Sequence, residues 1–120
     1  MKKILVVDDS PSMRQMISFT LGSAGFAVEE VDDGAAALIA AKKQQFDLVI
    51  SDVNMPKMNG IEMVKALRGE SNYRFVPILM LTTESAGNKK GEGKDAGATG
   101  WIVKPFNPEQ LVGAVNKVLR

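Results

Sequence analysis

The sequence predicts an α/β fold, a doubly wound five-stranded parallel sheet with five helices on both faces. Three observations predict it. Five short apolar runs recur along the 120 residues, each separated from the next by a longer amphipathic stretch. Several of those runs are apolar without alternation, as in strands covered on both sides. The strand and helix patterns also alternate in series, which leaves an open parallel sheet as the arrangement that buries every apolar face.

The strands are Ile4-Leu5-Val6-Val7, Phe26-Ala27-Val28, Leu48-Val49-Ile50, Ile78-Leu79-Met80-Leu81 and Trp101-Ile102-Val103. In the second, Val28-Glu29-Glu30-Val31 partly alternates, the pattern of an edge strand. The first helix is marked by Met13, Met16, Ile17, Phe19 and Leu21, with Ser10 as N-cap, Pro11 at the first helical position, and Gly22 and Gly25 bracketing its end. An alanine-rich helix runs from Ala35 to Lys43 after the turn Asp32-Asp33-Gly34. The third follows Asn59-Gly60 with Ile61, Val64 and Leu67. A fourth is expected over residues 86–96, although Gly87, Gly91 and Gly93 each cost about 1 kcal/mol against Ala in a helix interior. The last begins at Asn107-Pro108 and carries Leu111, Val112, Val115 and Leu119.

Composition excludes several chemistries. The chain has no Cys and no His, which removes disulfides, thiolate and imidazole metal ligands, thiol nucleophiles and imidazole bases. With 15 basic and 14 acidic residues, it lacks the basic excess of a nucleic-acid binder. The balance is uneven: residues 1–60 hold 6 Lys/Arg and 8 Asp/Glu (−2), residues 61–120 hold 9 and 6 (+3). No apolar run approaches the roughly 20 residues that span a bilayer. The N-terminal apolar run stops after four residues at Asp8-Asp9, short of a signal-peptide core. A cytoplasmic, monomeric protein without membrane association is expected.

Ligands of such folds bind outside the carboxyl ends of the strands, near the switch in strand order. Strand one ends in Asp8-Asp9, strand three in Asp52, strand four in Thr82-Thr83 and strand five in Lys104-Pro105. Three carboxylates against one ammonium group call for a cation or for protonation. With His and Cys absent, a hard oxygen-ligated ion is the natural choice, and Mg2+ suits it best. Such a site is suited to phosphoryl transfer. Lys104 and the metal would neutralise phosphoryl oxygens, Thr82 would donate a hydrogen bond, and a carboxylate would attack phosphorus to give an acyl phosphate. Asp52 is the best nucleophile, because strand three is central while the strand-one pair is better placed to hold metal. Singly these signals are weak: Asp8-Asp9 could be a turn pair, as Asp32-Asp33 is read to be, and Trp101 could be core packing.

Together, Val6-Val7-Asp8-Asp9-Ser10, Asp47-Leu48-Val49-Ile50-Ser51-Asp52-Val53-Asn54-Met55-Pro56, Asn59-Gly60, Leu81-Thr82-Thr83-Glu84 and Ile102-Val103-Lys104-Pro105-Phe106 resemble the receiver domain of two-component response regulators. The resemblance spans Lys2 to Arg120, so residues 1–120 are expected to form one receiver domain. It implies the flavodoxin-like strand order 2-1-3-4-5. It further implies that Asp52 accepts a phosphoryl group from a histidine kinase and that Mg2+ is bound directly by Asp9, Asp52 and the backbone carbonyl of Asn54. Asp8 would then act through water. Thr82 and Lys104 are implied to bind the phosphoryl oxygens, and Lys104-Pro105 to be cis. Trp101 falls at the aromatic switch position, where Tyr or Phe is usual.

The chain ends after the last helix, so output by binding another protein is expected, through the helix of 86–96, the fifth strand and the last helix, including Lys89, Lys94, Trp101 and Ile102. The glycines after Thr82 suggest that phosphorylation orders residues 84–94. Among receivers, the similarity is to single-domain chemotaxis regulators, which implies the flagellar motor switch as target, with pilus motility or a phosphate-sink role as alternatives. A dedicated phosphatase is a further possible partner. A protein that phosphorylates and dephosphorylates itself is expected, not a turnover enzyme. Two other classes compete. A flavodoxin-like electron carrier would need a hydroxyl- and glycine-rich phosphate loop after strand one, where Asp8-Asp9 repels phosphate. A haloacid-dehalogenase-type phosphatase would need an acid two residues after the nucleophile, where Asn54 stands.

Overall fold

The computed structural model describes residues 1–53, 55, 58–83 and 97–119. Five parallel strands, β1 (Lys3–Val7), β2 (Ala27–Val31), β3 (Leu48–Asp52), β4 (Ile78–Thr83) and β5 (Gly100–Lys104), form one sheet in the order β2-β1-β3-β4-β5. This is the expected order. The described helices are α1 (Pro11–Ser23), α2 (Gly34–Lys43), α3 (Gly60–Arg68) and α4 (Pro108–Leu119). The helix expected over residues 86–96, and the ordering expected over 84–94, lie outside the described residues.

Period-two alternation divides the sheet between two cores. Ile4 and Val6 of β1 and Leu48 and Ile50 of β3 pack with Ile17 and Leu21 of α1 and Leu111 and Val115 of α4. Leu5, Val7 and Val49 face the other way, onto Ala37 and Ala41 of α2 and Met63, Val64 and Leu67 of α3. Both faces being covered explains why β1 and β3 read as unbroken apolar runs. Edge strand β2 is only half-buried, as its sequence foretold.

Local chemistry sets the helix starts. Ser10 Oγ accepts from Met13 N (3.3 Å), Asp33 Oδ1 from Ala36 N (2.7 Å) and Asn59 Oδ1 from Glu62 N (2.9 Å). Glu62 Oε1 returns the Asn59 bond by accepting from Asn59 N (3.3 Å), and Asn107 with Gln110 makes the same reciprocal pair at 2.8 and 2.9 Å. The end of α1 differs slightly from expectation, since Gly22 lies within the last turn. Phe26 N donates to Leu21 O and Gly25 N to Gly22 O (both 3.1 Å), a Schellman closure with Gly25 at φ +98°. A 3₁₀ turn at Ser71–Tyr73, not anticipated, buries Tyr73, whose hydroxyl donates to Gln44 O (2.7 Å) and accepts from Phe46 N (3.1 Å).

Gly60 fixes how closely α3 approaches the end of β3. Its N–H donates to Val53 O (2.9 Å), and a Cβ there would press into the Asp52 carbonyl oxygen and stand 2.8 Å from Met80 Cε. Gly60→Ala should destabilise the fold by about 1–3 kcal/mol, because this overpacking outweighs the gain in helix propensity. Urea unfolding checks this; a midpoint at or above that of the parent chain would contradict the close approach.

Candidate phosphoacceptor and metal site

The order β2-β1-β3 places the crossover switch between β1 and β3, so the crevice opens where these two strands end. Asp8 follows β1 directly and is fully buried; Asp9 is exposed; Asp52 closes β3 and is 8% exposed. One carboxylate oxygen from each of the three lies within 4.8 Å of the other two. Lys104, at the end of β5, brings its Nζ to 3.2 Å from Asp52 Oδ2 and 3.7 Å from Asp8 Oδ2. Thr82 is buried on β4, one residue beyond the Leu81 that pairs with Asp52, which puts it on the same rim. The Lys104-Pro105 peptide is cis.

Asp8 is tightly specified. Its N–H donates to Val31 O (3.2 Å), its carbonyl accepts from Arg14 Nη1 (2.7 Å) and its Oδ1 accepts from Ser10 N (2.9 Å). Its Oδ2 is buried and has no hydrogen bond among the described residues. Burial pushes the Asp8 carboxyl above the usual aspartate range, with the Asp52 and Asp9 charges adding to the rise and the Ser10 N–H and Lys104 opposing it. A buried carboxylate oxygen without a donor, beside two more carboxylates, fits a small hard divalent cation: the donors are all oxygen, and net negative charge remains after Lys104 is counted.

Other expected residues fall elsewhere. Asn54, Lys89 and Lys94 lie outside the described residues. Trp101 is half-buried and packs against the core on the α2–α3 face. Ile102 is a correction: it is 6% exposed and belongs to the core under α1 and α4, so it presents no side chain to a partner. Neighbouring strand residues point to opposite faces, and a face covered by helices hides its residues however apolar a partner is. Arg14 was missed because a grip on a backbone carbonyl leaves no residue-type pattern in the partner. An open apolar groove of about 1040 Å³ lies between α1 and α4, lined by Phe19, Met16 and Val112. Among the described residues lining it, Glu109 is the one titratable group, whereas the acidic cluster lies at the strand ends.

Residues 4–116 match the family model described as response regulator receiver domain. The chain belongs to that family. Among relatives, this receiver is 40% identical over 117 residues to the chemotaxis protein CheY-3 of Vibrio cholerae serotype O1, covering 97% of this chain and 90% of that one. Among solved structures, it is similar to the chemotaxis response regulator CheY4 of Vibrio cholerae, with TM-score 0.95, 60% identity and 99% of each chain covered. It is also similar to the receiver domain of a sensor histidine kinase from Pseudomonas aeruginosa, described with a magnesium ion coordinated in the active site cleft. That match has TM-score 0.91 and 29% identity, and covers 98% of this chain and 97% of that one. Receivers of this family are signalling proteins. No helix among the described residues is long and apolar enough to cross a membrane.

Burial of Asp8 gives a pH-dependent prediction. A carboxyl whose folded-state pKa is raised binds its proton more tightly when folded. Its cost is therefore absent at pH below the unfolded value and complete above the folded one. In EDTA-containing buffer, Asp8→Asn should raise the melting temperature by several degrees at pH 7, and the gain should shrink towards pH 4. Thermal melts at both values check it; a lower melting temperature for the variant at pH 7 would show that Asp8 stabilises the metal-free fold.

Proposed function

We propose that residues 1–120 act as one receiver that takes a phosphoryl group from the phosphohistidine of a histidine kinase onto Asp52. The observation that carries this reading is the convergence of the Asp8, Asp9 and Asp52 carboxylates within 4.8 Å, with Lys104 Nζ 3.2 Å from Asp52. An Asp52 carboxylate oxygen attacks phosphorus, the phosphorus–nitrogen bond to the donor imidazole breaks, and an acyl phosphate results. Lys104 stands close enough to Asp52 to follow an oxygen of the arriving group, and the Thr82 hydroxyl on the neighbouring strand supplies a hydrogen bond to another. Asp9, Asp52 and the Asn54 carbonyl would hold Mg2+, with Asp8 contacting it through water. When bound, Mg2+ supplies positive charge that offsets the phosphoryl oxygens. The magnesium in the Pseudomonas aeruginosa receiver supports the choice of ion.

The chain then signals through a protein partner. The CheY-named relatives support a role in chemotaxis, and the flagellar motor switch is the target we propose. The output surface includes Trp101, together with Lys89 and Lys94. Recruitment of Thr82 and Lys104 by the phosphoryl group changes the packing around Trp101, three residues before Lys104. Self-dephosphorylation uses the same residues, with water attacking the acyl phosphate.

Incubation with Mg2+ and acetyl phosphate should add one base-labile phosphoryl group, read as a mass shift of the intact chain and mapped to Asp52. Asp52→Asn should abolish the shift, and Asp8→Asn should only reduce it. A label on Ser10, Ser51 or a threonine would refute the acyl phosphate. Separately, Asp9→Asn should weaken Mg2+ binding by about tenfold or more, since loss of a ligand should cost at least as much as loss of a supporting hydrogen bond. Calorimetric titration with MgCl2 measures this, and an unchanged affinity would remove Asp9 from the ligand set.

A further inference from the structure

We infer that Arg14 is a positioning residue for the acidic pair, setting the direction of Asp9 through the Asp8–Asp9 peptide; this rests on the metal site proposed above. The guanidinium bridges two elements. Its Nη1 donates to the Asp8 carbonyl oxygen at 2.7 Å, and its Nε lies 3.5 Å from Glu30 Oε1 on edge strand β2. The Arg14 side chain is 19% exposed and its grip on the Asp8 carbonyl is partly buried, whereas Glu30 at the far end of the bridge is 37% exposed. The oxygen it grips belongs to the peptide plane that leads into Asp9. Asp8 N is already tied to Val31 O and Asp8 Oδ1 to Ser10 N, which leaves rotation of the following peptide as the remaining freedom of the turn. Arg14 removes it. Asp9 is exposed, so the backbone sets where its side chain starts and hence the range its carboxylate can reach.

The planar fork suits this task. Arg presents several N–H donors in fixed geometry, and one side chain can therefore hold a carbonyl and a carboxylate together. Its charge alone would act in the opposite direction, because a guanidinium beside a cation site repels the cation. The two roles therefore predict opposite signs. If only charge mattered, removing Arg14 would tighten Mg2+ binding; if Arg14 positions Asp9, removing it weakens binding.

The test is calorimetric titration of MgCl2, at fixed ionic strength and well below the melting temperature, into the parent chain, Arg14→Ala, Asp9→Asn and the double variant. Arg14→Ala should weaken Mg2+ affinity by about tenfold, the scale of losing a hydrogen bond that orients a ligand. The same substitution in the Asp9→Asn background should have little further effect, because the two act as one unit. Where Arg14→Ala melts too early, Arg14→Lys keeps the stem and charge but loses the fork, and it is judged by the same two criteria. Unchanged or tighter binding in the Arg14 variant overturns the positioning role, as does a loss that adds in full to that of Asp9→Asn. An unaltered affinity in Asp9→Asn itself overturns the site reading, and the positioning role falls with it.

Discussion

Concentrating like charge at the switch point of the sheet is the constraint around which the rest of this structure is arranged. Asp8 is fully buried and Asp52 nearly so, and with Asp9 their oxygens lie within 4.8 Å. Three carboxylates so close repel one another, and burial deepens the cost because water cannot screen them. Lys104 offsets one charge from the far side of β4. The remaining negative charge suits a divalent cation. A fold that carries such a cluster must be held together elsewhere.

That support lies in the two cores and at the opposite end of the sheet. Arg68, in the last turn of α3, donates to the carbonyl oxygens of Tyr73 (2.7 Å), Val76 (2.7 Å) and Gly97 (2.8 and 3.0 Å). It thereby ties the end of α3 to the approaches of β4 and β5, and burial pushes its guanidinium below the usual arginine value. Gly97, at φ +110°, sits so close to Arg68 that a Cβ would crowd Cγ and Nε at 3.1 Å. Arg14 performs a similar service at the acidic end. Both arginines satisfy backbone carbonyls where strands meet loops, one fixing where strands begin and the other how the first ends. A lysine, with its compact charge and flexible stem, could not span the same set of acceptors.

The divided sheet also explains how one strand can serve two purposes. On β5, Lys104 reaches the acidic crevice, Trp101 packs half-buried on the α2–α3 face, and Ile102 fills the core under α1 and α4. Ile102 is confined by close packing.

The sequence by itself determined the five strands, the starts of the helices and the residues at the strand ends. Those features depend on side-chain period and on capping bonds made within about four residues, such as those of Ser10, Asp33 and Asn59. The rule that ligands gather at strand carboxyl ends made Asp8, Asp9, Asp52 and Lys104 legible as a site. Only the tertiary structure decided how close they come. It set Lys104 at 3.2 Å from an aspartate 52 positions earlier, left one Asp8 oxygen without a hydrogen bond among the described residues, and gave the Asp8 carbonyl to Arg14. It also decided that Ile102 is core and that Tyr73 closes the end of α2. Contacts between residues distant in sequence depend on which helix covers which face of the sheet, and local periodicity does not specify that choice when both faces are apolar.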